Sequence, residues 1–379
     1  MTLLGIRLTI LAGKTIPTPP PRAITESISS VTVTHSDEER SGFQIVFQAG
    51  RDRANFLDFP QLTNNQFKPN SRVQILVTLG VMPQVLIDGF ITDQQLSPST
   101  GAGGSTVTVI GEDISIKMDQ KEKNEEHTGL SDDKIATAII GQYAQYGLVP
   151  KVVKPASFDV PNPSERTPTQ QATDLKYLKA IAKRHGYIFH IIPGPAPGVN
   201  TAYWGPSIRQ GVPQKALSHN LGIHSNVDSL KFRYEALKRK TVAGKVQDKF
   251  TNQTLPVISL SSLLSNLSSN PPDVTDLLTG RRETYRSKGK SLAQAYAEAQ
   301  ARADETNRDV VLAEGELNAL RYGGILQARA LVGVRGVGLS YSGNYTVKNV
   351  THTITTKAYK QKFTLAREGL GSATPLVKT

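Results

Sequence analysis

The sequence predicts a mainly β protein of the α+β class, with two antiparallel β-barrel domains and a small α/β domain inserted between them. Three observations carry this reading. Apolar residues alternate with period two up to about residue 118, the alternation returns after about residue 230, and two helical stripes with one strand lie between. The 379 residues suffice for two or three domains, each with a core of its own.

Residues 1–22 are expected to form an N-terminal arm, because 15–21 (TIPTPPP) can continue neither a helix nor a central strand. The segments 28–34 (ISSVTVT), 42–47 (GFQIVF), 72–78 (RVQILVT), 84–91 (QVLIDGFI) and 106–110 (TVTVI) then read as antiparallel strands parted by polar or Gly/Pro turns. Together with residues 205–238 they are assigned to a first β-barrel, 23–118 plus 205–238. The inserted α/β domain spans 119–204. Ser131 is placed to cap its first helix, with Asp132 and Asp133 in the first turn. Ile135, Ile139 and Tyr143 follow at four-residue spacing, widened by Ala136 and Ile140, and the helix ends near Gly147. A second helix is expected from about 170 to 185, with Leu175, Leu178, Ile181 and Ala182 on one face and Gly186 closing it; Tyr187, Phe189 and Ile191 continue as a strand. Residues 239–379 are assigned to a second β-barrel with one helix, 292–305, capped by Ser291. Its strands are read at 310–317, 325–334, 344–356 and 361–368. Alternation puts Tyr345 and Val347 on the buried face, with Asn349 the odd member.

Composition narrows the function. There are no cysteines, which excludes disulfides and thiolate metal sites. The start, MTLLGIRLTILAG, is a poor signal peptide because Arg7 interrupts the apolar run, and no window approaches the roughly 20 apolar residues of a membrane span. Lys and Arg number 44 against 32 Asp and Glu, and the excess gathers at 231–249 and 281–290. Phe232 and Tyr234 alternate away from Lys231 and Arg233, so the first run reads as a solvated face behind a core, and direct nucleic-acid binding is not expected.

No catalytic constellation is found. Lys288-Gly289-Lys290-Ser291 lacks the glycine a phosphate loop needs, since position 284 is Thr, and reads as a helix cap. Residues 101–104 (GAGG) precede a strand, not a helix, and read as a hairpin loop. The seven histidines, His219 with His224 and His185 with His190 among them, read as surface or capping residues. Asp88 with Asp93, and Glu112 with Asp113, point to opposite faces by alternation, and no Gly-x-Ser-x-Gly elbow occurs. The protein is read as no enzyme, with no cofactor and no metal.

Two stretches carry a resemblance. From Gly315 the chain reads GELNALRYGGILQARALVGVRGVGLSYSGNYTVKNVTHTITTKAYKQKFTLAREGLG. Within it stand Gly343, Tyr345, Val347, His352, Tyr359 and Gly369; the helix from Asp174 through Leu178 into Gly186-Tyr187 is the second landmark. The chain resembles the late control D family, the baseplate hubs of contractile phage tails and related injection systems. The resemblance implies tube-like barrels and a trimeric adaptor that joins a sixfold inner tube to a threefold spike around an axial channel. Its implied partners are further copies of itself, the spike protein, an inner tube or tube-initiator protein and baseplate wedge proteins, assembled in the bacterial cytoplasm. The matching residues are structural in that family. The chain ends eight residues after Gly371, so a spike would be a separate polypeptide. The alternatives are a monomeric cell-wall or nucleic-acid binding module and, third, a peptidoglycan hydrolase.

Overall fold

The computed structural model describes residues 2–3, 5–37, 39–49, 59–99, 104–155, 167–235, 240–247, 253–259, 265–270, 281–287 and 292–373. Residues 101–103 and 288–291, and the basic run at Lys238, Arg239 and Lys249, lie outside the described residues.

The first β region holds β1 (Thr2–Leu3), β2 (Ile6–Gly13), β3 (Ile28–Ser36), β4 (Gly42–Ala49), β5 (Arg72–Leu79), β6 (Pro83–Ser97) and β7 (Ser105–Asp113), in the spatial order β1-β2-β5-β6-β7-β4-β3. The start of the chain is thus a sheet strand and not an arm. β2 pairs with β5 from Ile6 opposite Leu79 to Gly13 opposite Arg72. Ile6, Leu8 and Ile10 point inward while Arg7 takes an exposed position between them, so the charge fits the alternation instead of interrupting it. The proline-rich stretch turns back on β2, with Ala12 and Thr18 exchanging backbone hydrogen bonds.

The following unit contains β8 (Glu122–Glu126), α1 (Asp132–Gly141), β9 (Leu148–Val152), β10 (Thr169–Thr173), α2 (Asp174–Arg184), β11 (Tyr187–Pro193) and β12 (Asn200–Pro206). Its strands form a β8–β10 pair and a three-stranded sheet in the order β11-β12-β9. The expected helix start near 170 is a strand instead, and Thr173 caps α2 by accepting from the Lys176 backbone N–H. Ser131 stands at the N-cap position of α1, but its hydroxyl makes no cap bond. Ile139, Leu178, Ile181 and Trp204 form the core, joined by Phe90, Ile114 and Met118 from the first β region.

Beyond it lie β13 (Gln214–Ser218) and β14 (Ser229–Tyr234), and then β15 (Lys240–Gln247), β16 (Thr254–Ser259) and β17 (Arg281–Ser287), a separate sheet in the order β16-β15-β17. Helix α3 (Leu292–Asn307) covers that sheet with Ala295, Ala299 and Ala303, packed on Val242, Val246, Val257 and Tyr285. The expected second barrel therefore contains a small α/β unit of its own.

The last strands are β18 (Val311–Asn318), β19 (Leu331–Arg335), β20 (Gly343–Thr355) and β21 (Tyr359–Arg367). β13 pairs with β19 and β14 with β18, so these two strands, expected within 205–238 to complete the first β-barrel, complete this second β region instead. The cause is apolar contact: Leu217 and Val227 join its core, and Phe232 packs at a tilt against Tyr341 with ring centroids 4.7 Å apart. β20 pairs with β19 in its first half, with β3 in its second, and with β21 along most of its length. Both β regions thereby belong to one 13-stranded sheet whose main path, among the described residues, runs from β1 to β14. The sheet serves two cores, one around Phe43, Ile45, Ile75 and Val109, the other around Tyr345, Val347, Val350 and Phe363. A register shift between Val347 and Asn349 explains Asn349: past it Val350, His352 and Ile354 point inward. The expected strand over 325–334 is a strand only from Leu331, because the Gln361 side-chain amide bonds both the N–H and the carbonyl of Leu326.

Candidate functional site

The ten motif residues fall into two groups. Asp174 is buried in the first turn of α2, where backbone N–H groups point without intrahelical partners. Its carboxylate accepts from the Tyr143 hydroxyl at 2.6 Å, Gln170 Nε2 at 2.7 Å and Lys123 Nζ at 2.8 Å. Leu178 lies one turn on, in the core. Gly186 follows the helix at φ +65°, and a Cβ there would stand 3.2 Å from Ala301 Cβ of α3. The helix-to-Gly-Tyr motif is therefore where the inserted unit meets the unit built on α3. Tyr187 packs against Trp204 at 5.1 Å, and burial raises its hydroxyl pKa.

The second group lies on β20 and β21. Gly343 opens β20 at φ +125°, where a Cβ would run into the Ser372 side chain and the Arg367 guanidinium. Tyr345 and Val347 are fully buried. The Tyr345 ring faces the Arg367 guanidinium at 4.3 Å, and its hydroxyl donates to the Tyr341 carbonyl at 2.7 Å. Gly369 meets the Asn270 carbonyl too closely to bear a side chain. His352 Nδ1 and the Tyr359 hydroxyl are 2.8 Å apart, and the Gln361 amide nitrogen also approaches Nδ1, at 3.3 Å. Two donors converge there, so Nδ1 accepts and Nε2 carries the proton. Burial lowers the His352 pKa to about 3.

His352 also faces His35 of β3 edge-on at 5.6 Å. Both line a cavity of about 210 Å³ that His190 of β11 and Arg329 also line, where the two β regions and the inserted unit meet. Burial lowers the pKa of His35 and of His190, and the Arg329 charge lowers both further. A second joint is ionic. Glu368 accepts from Arg209, from the N–H of Leu267 at 2.5 Å and from the N–H and hydroxyl of Ser268 at 2.8 and 3.0 Å; Lys348 bonds Asp309 at 2.6 Å. Asp88, buried and held by Arg72, Gln74 and Asn200, is likewise structural. Among the described residues no three His, Asp or Glu side chains stand close enough together to hold a metal ion, and no helix is long and apolar enough to cross a membrane.

No family model and no curated protein matches the sequence. Solved structures do match. The tail protein of Neisseria meningitidis MC58 superposes with a TM-score of 0.66 at 12% identity, over 97% of this chain and 98% of that one. The chain has the fold of phage tail proteins. The 43 kDa tail protein of prophage MuSo2 from Shewanella oneidensis gives 0.66 at 11% identity, over 96% and 98%. A component of the E. coli type VI secretion system gives 0.56 at 12%, over 93% of this chain and 77% of that one.

Against this tail-protein fold, the cavity histidines correct the surface and capping roles expected of them. His35 continues the inward series of Val31 and Val33, and His352 that of Val350 and Ile354. A histidine on the apolar face of a strand was the available signal. Their convergence with His190 and Arg329 required the fold. On the surface, Val81 and Met82 at the β5–β6 turn are 94% and 77% exposed, and Val212 and Ile223 are each 96% exposed.

Proposed function

We propose that the chain is a structural subunit of a contractile tail or injection-system baseplate, and specifically its central hub: a homotrimer that joins the sixfold inner tube to the threefold spike around an axial channel. The observation that carries the reading is the extent of the likeness. It runs through nearly the whole of this chain and nearly the whole of two phage tail proteins, so the likeness is not confined to one part of the fold. The late control D resemblance of Gly343, Tyr345, Val347, His352, Tyr359 and Gly369, and of Asp174, Leu178, Gly186 and Tyr187, supports it with residues that are structural here too. Its partners would be copies of itself, the spike, the tube or tube-initiator protein and the wedge proteins, in a particle assembled in the bacterial cytoplasm. A closed ring would cover the sheet edges at β1–β2 and β14, which otherwise invite aggregation, and the exposed Val81 and Met82 offer apolar contact points. Native mass measurement of the purified protein, alone and with its spike, tests the reading. A 3:3 complex is expected. A monomer or dimer with the spike overturns it, and a monomer whose nucleic-acid affinity falls steeply with salt favours a binding module.

A further inference from the structure

The cavity between β3, β6, β11 and the 325–330 segment is more than a packing defect. His190 is 7% exposed, and neither of its ring nitrogens has a hydrogen-bond partner among the described residues. Burying an imidazole with both nitrogens unmatched is costly, and native interiors rarely tolerate it. Arg329, 9% exposed and held at φ +61°, donates through Nη2 to the Ser36 carbonyl and to Ser41 Oγ, while its Nε is also unmatched. Both hydrogen-bond partners of the guanidinium are neutral oxygens; Asp37 and Asp113 act on it through space. A desolvated cation and an unmatched imidazole thus meet in one hollow, whose remaining walls include Leu86, Ile192 and Ile325.

We propose that this cavity binds a carboxylate carrying a short apolar group, with the carboxylate on Arg329 and His190 and the apolar group against Leu86, Ile192 and Ile325. Arginine's planar fork suits a carboxylate, and a monoanion brings less charge into the buried site than a phosphate dianion would. Neutral His190 can donate one N–H to the same anion. The small volume favours a short ligand over the drug-sized molecules that fill pockets of roughly 300–1,000 Å³. The proposal is independent of the hub reading.

Isothermal titration of the full-length protein with sodium butyrate, butyramide and sodium chloride at matched ionic strength tests it. Saturable butyrate binding, roughly tenfold or more tighter than butyramide, is expected, since only the acid makes a charge-assisted bond. Ala328→Leu adds bulk at a residue that lines the hollow, leaves Arg329 and His190 unsubstituted, and should weaken binding at least tenfold; Arg329→Gln should abolish it by removing the charge. If Arg329→Gln does not fold, the ring ¹⁵N signals of His190 in the unmodified protein decide, and they should shift on butyrate addition. Acetyl-glycyl-leucine separates the sources: tighter binding than butyrate assigns the site to a polypeptide C-terminus, and weaker binding to a free short-chain acid. Equal affinity for butyrate and butyramide, undiminished binding by Ala328→Leu, or unmoved His190 signals would overturn the proposal.

Discussion

His35, His190 and His352 are held uncharged inside the protein, and this makes the fold sensitive to acid. An imidazole in the unfolded chain takes up its proton near pH 6.5, whereas burial lowers all three in the folded protein, His352 to about 3. Below pH 6.5 the unfolded chain therefore binds protons that the folded chain refuses, so stability falls as the pH drops toward 3 and these groups add no slope above about 7. For His352 the slope approaches about 1.4 kcal/mol per pH unit inside that window, and His35 and His190 act in the same direction. Denaturant melts at pH 7.5, 5.5 and 4.5 should show the loss, and His352→Gln should make it shallower by one proton; an unchanged slope would mean the ring is protonated in the folded state. Tyr345 gives a plainer case. Alternation alone placed it on the buried face, and Tyr345→Ala should cost about 3 kcal/mol; a loss under about half a kcal/mol would show that the ring contributes no more than a surface residue. The histidine cavity was not legible in the same way, because its side chains come from three distant segments and alternation speaks only for its own strand.

At the scale of elements, spacing located α1, α2 and α3 and most strands, since a helix or strand writes its own period into the chain. It could not say which sheet a strand joins. Residues 229–234 alternate as a strand must, but only the contact of Phe232 with Tyr341 and Tyr345 decides that β14 belongs beside β18. Leu326 was unreadable for a related reason: a side chain 35 residues away takes its backbone groups. The inserted unit presents the testable case. It has its own core, yet Phe90, Ile114 and Met118 reach into it, Asn200 donates to Asp88 at 3.0 Å, and Arg72 donates to the Tyr146 carbonyl at 2.8 Å. Replacing 120–203 with a short Gly/Ser linker should leave the β signal in the far ultraviolet while lowering the melting midpoint, as those apolar side chains become exposed. Complete loss of the β signal would show that the β regions cannot fold without the insert.

The whole molecule is joined where chain segments far apart in sequence meet, and Glu368 is the clearest such point. It follows β21, yet it receives Arg209 from the stretch after the inserted unit and the backbone of Leu267 and Ser268 from beyond β16. Arg209 and Glu368 are 6% and 2% exposed, so neither charge has water to fall back on, and burial already lowers the Arg209 pKa despite its partner. Removing one member of such a pair leaves the other desolvated, at a cost of about 3–5 kcal/mol. Glu368→Gln keeps the shape and deletes the charge, so Arg209 stays buried without its ion partner and one amide nitrogen faces donors. Because β20 carries Ile354 into one core and Tyr345, Val347 and Val350 into the other, neither β core can come apart without stripping the strand that both share. The variant should therefore lower a single transition as a whole instead of splitting it, with the Leu267 and Ser268 amides losing exchange protection ahead of the global opening while those of β3 and β4 exchange only through it. A melt shifted by less than about half a kcal/mol, or exchange unchanged at Leu267 and Ser268, would show that the three segments are held together by packing and not by this carboxylate.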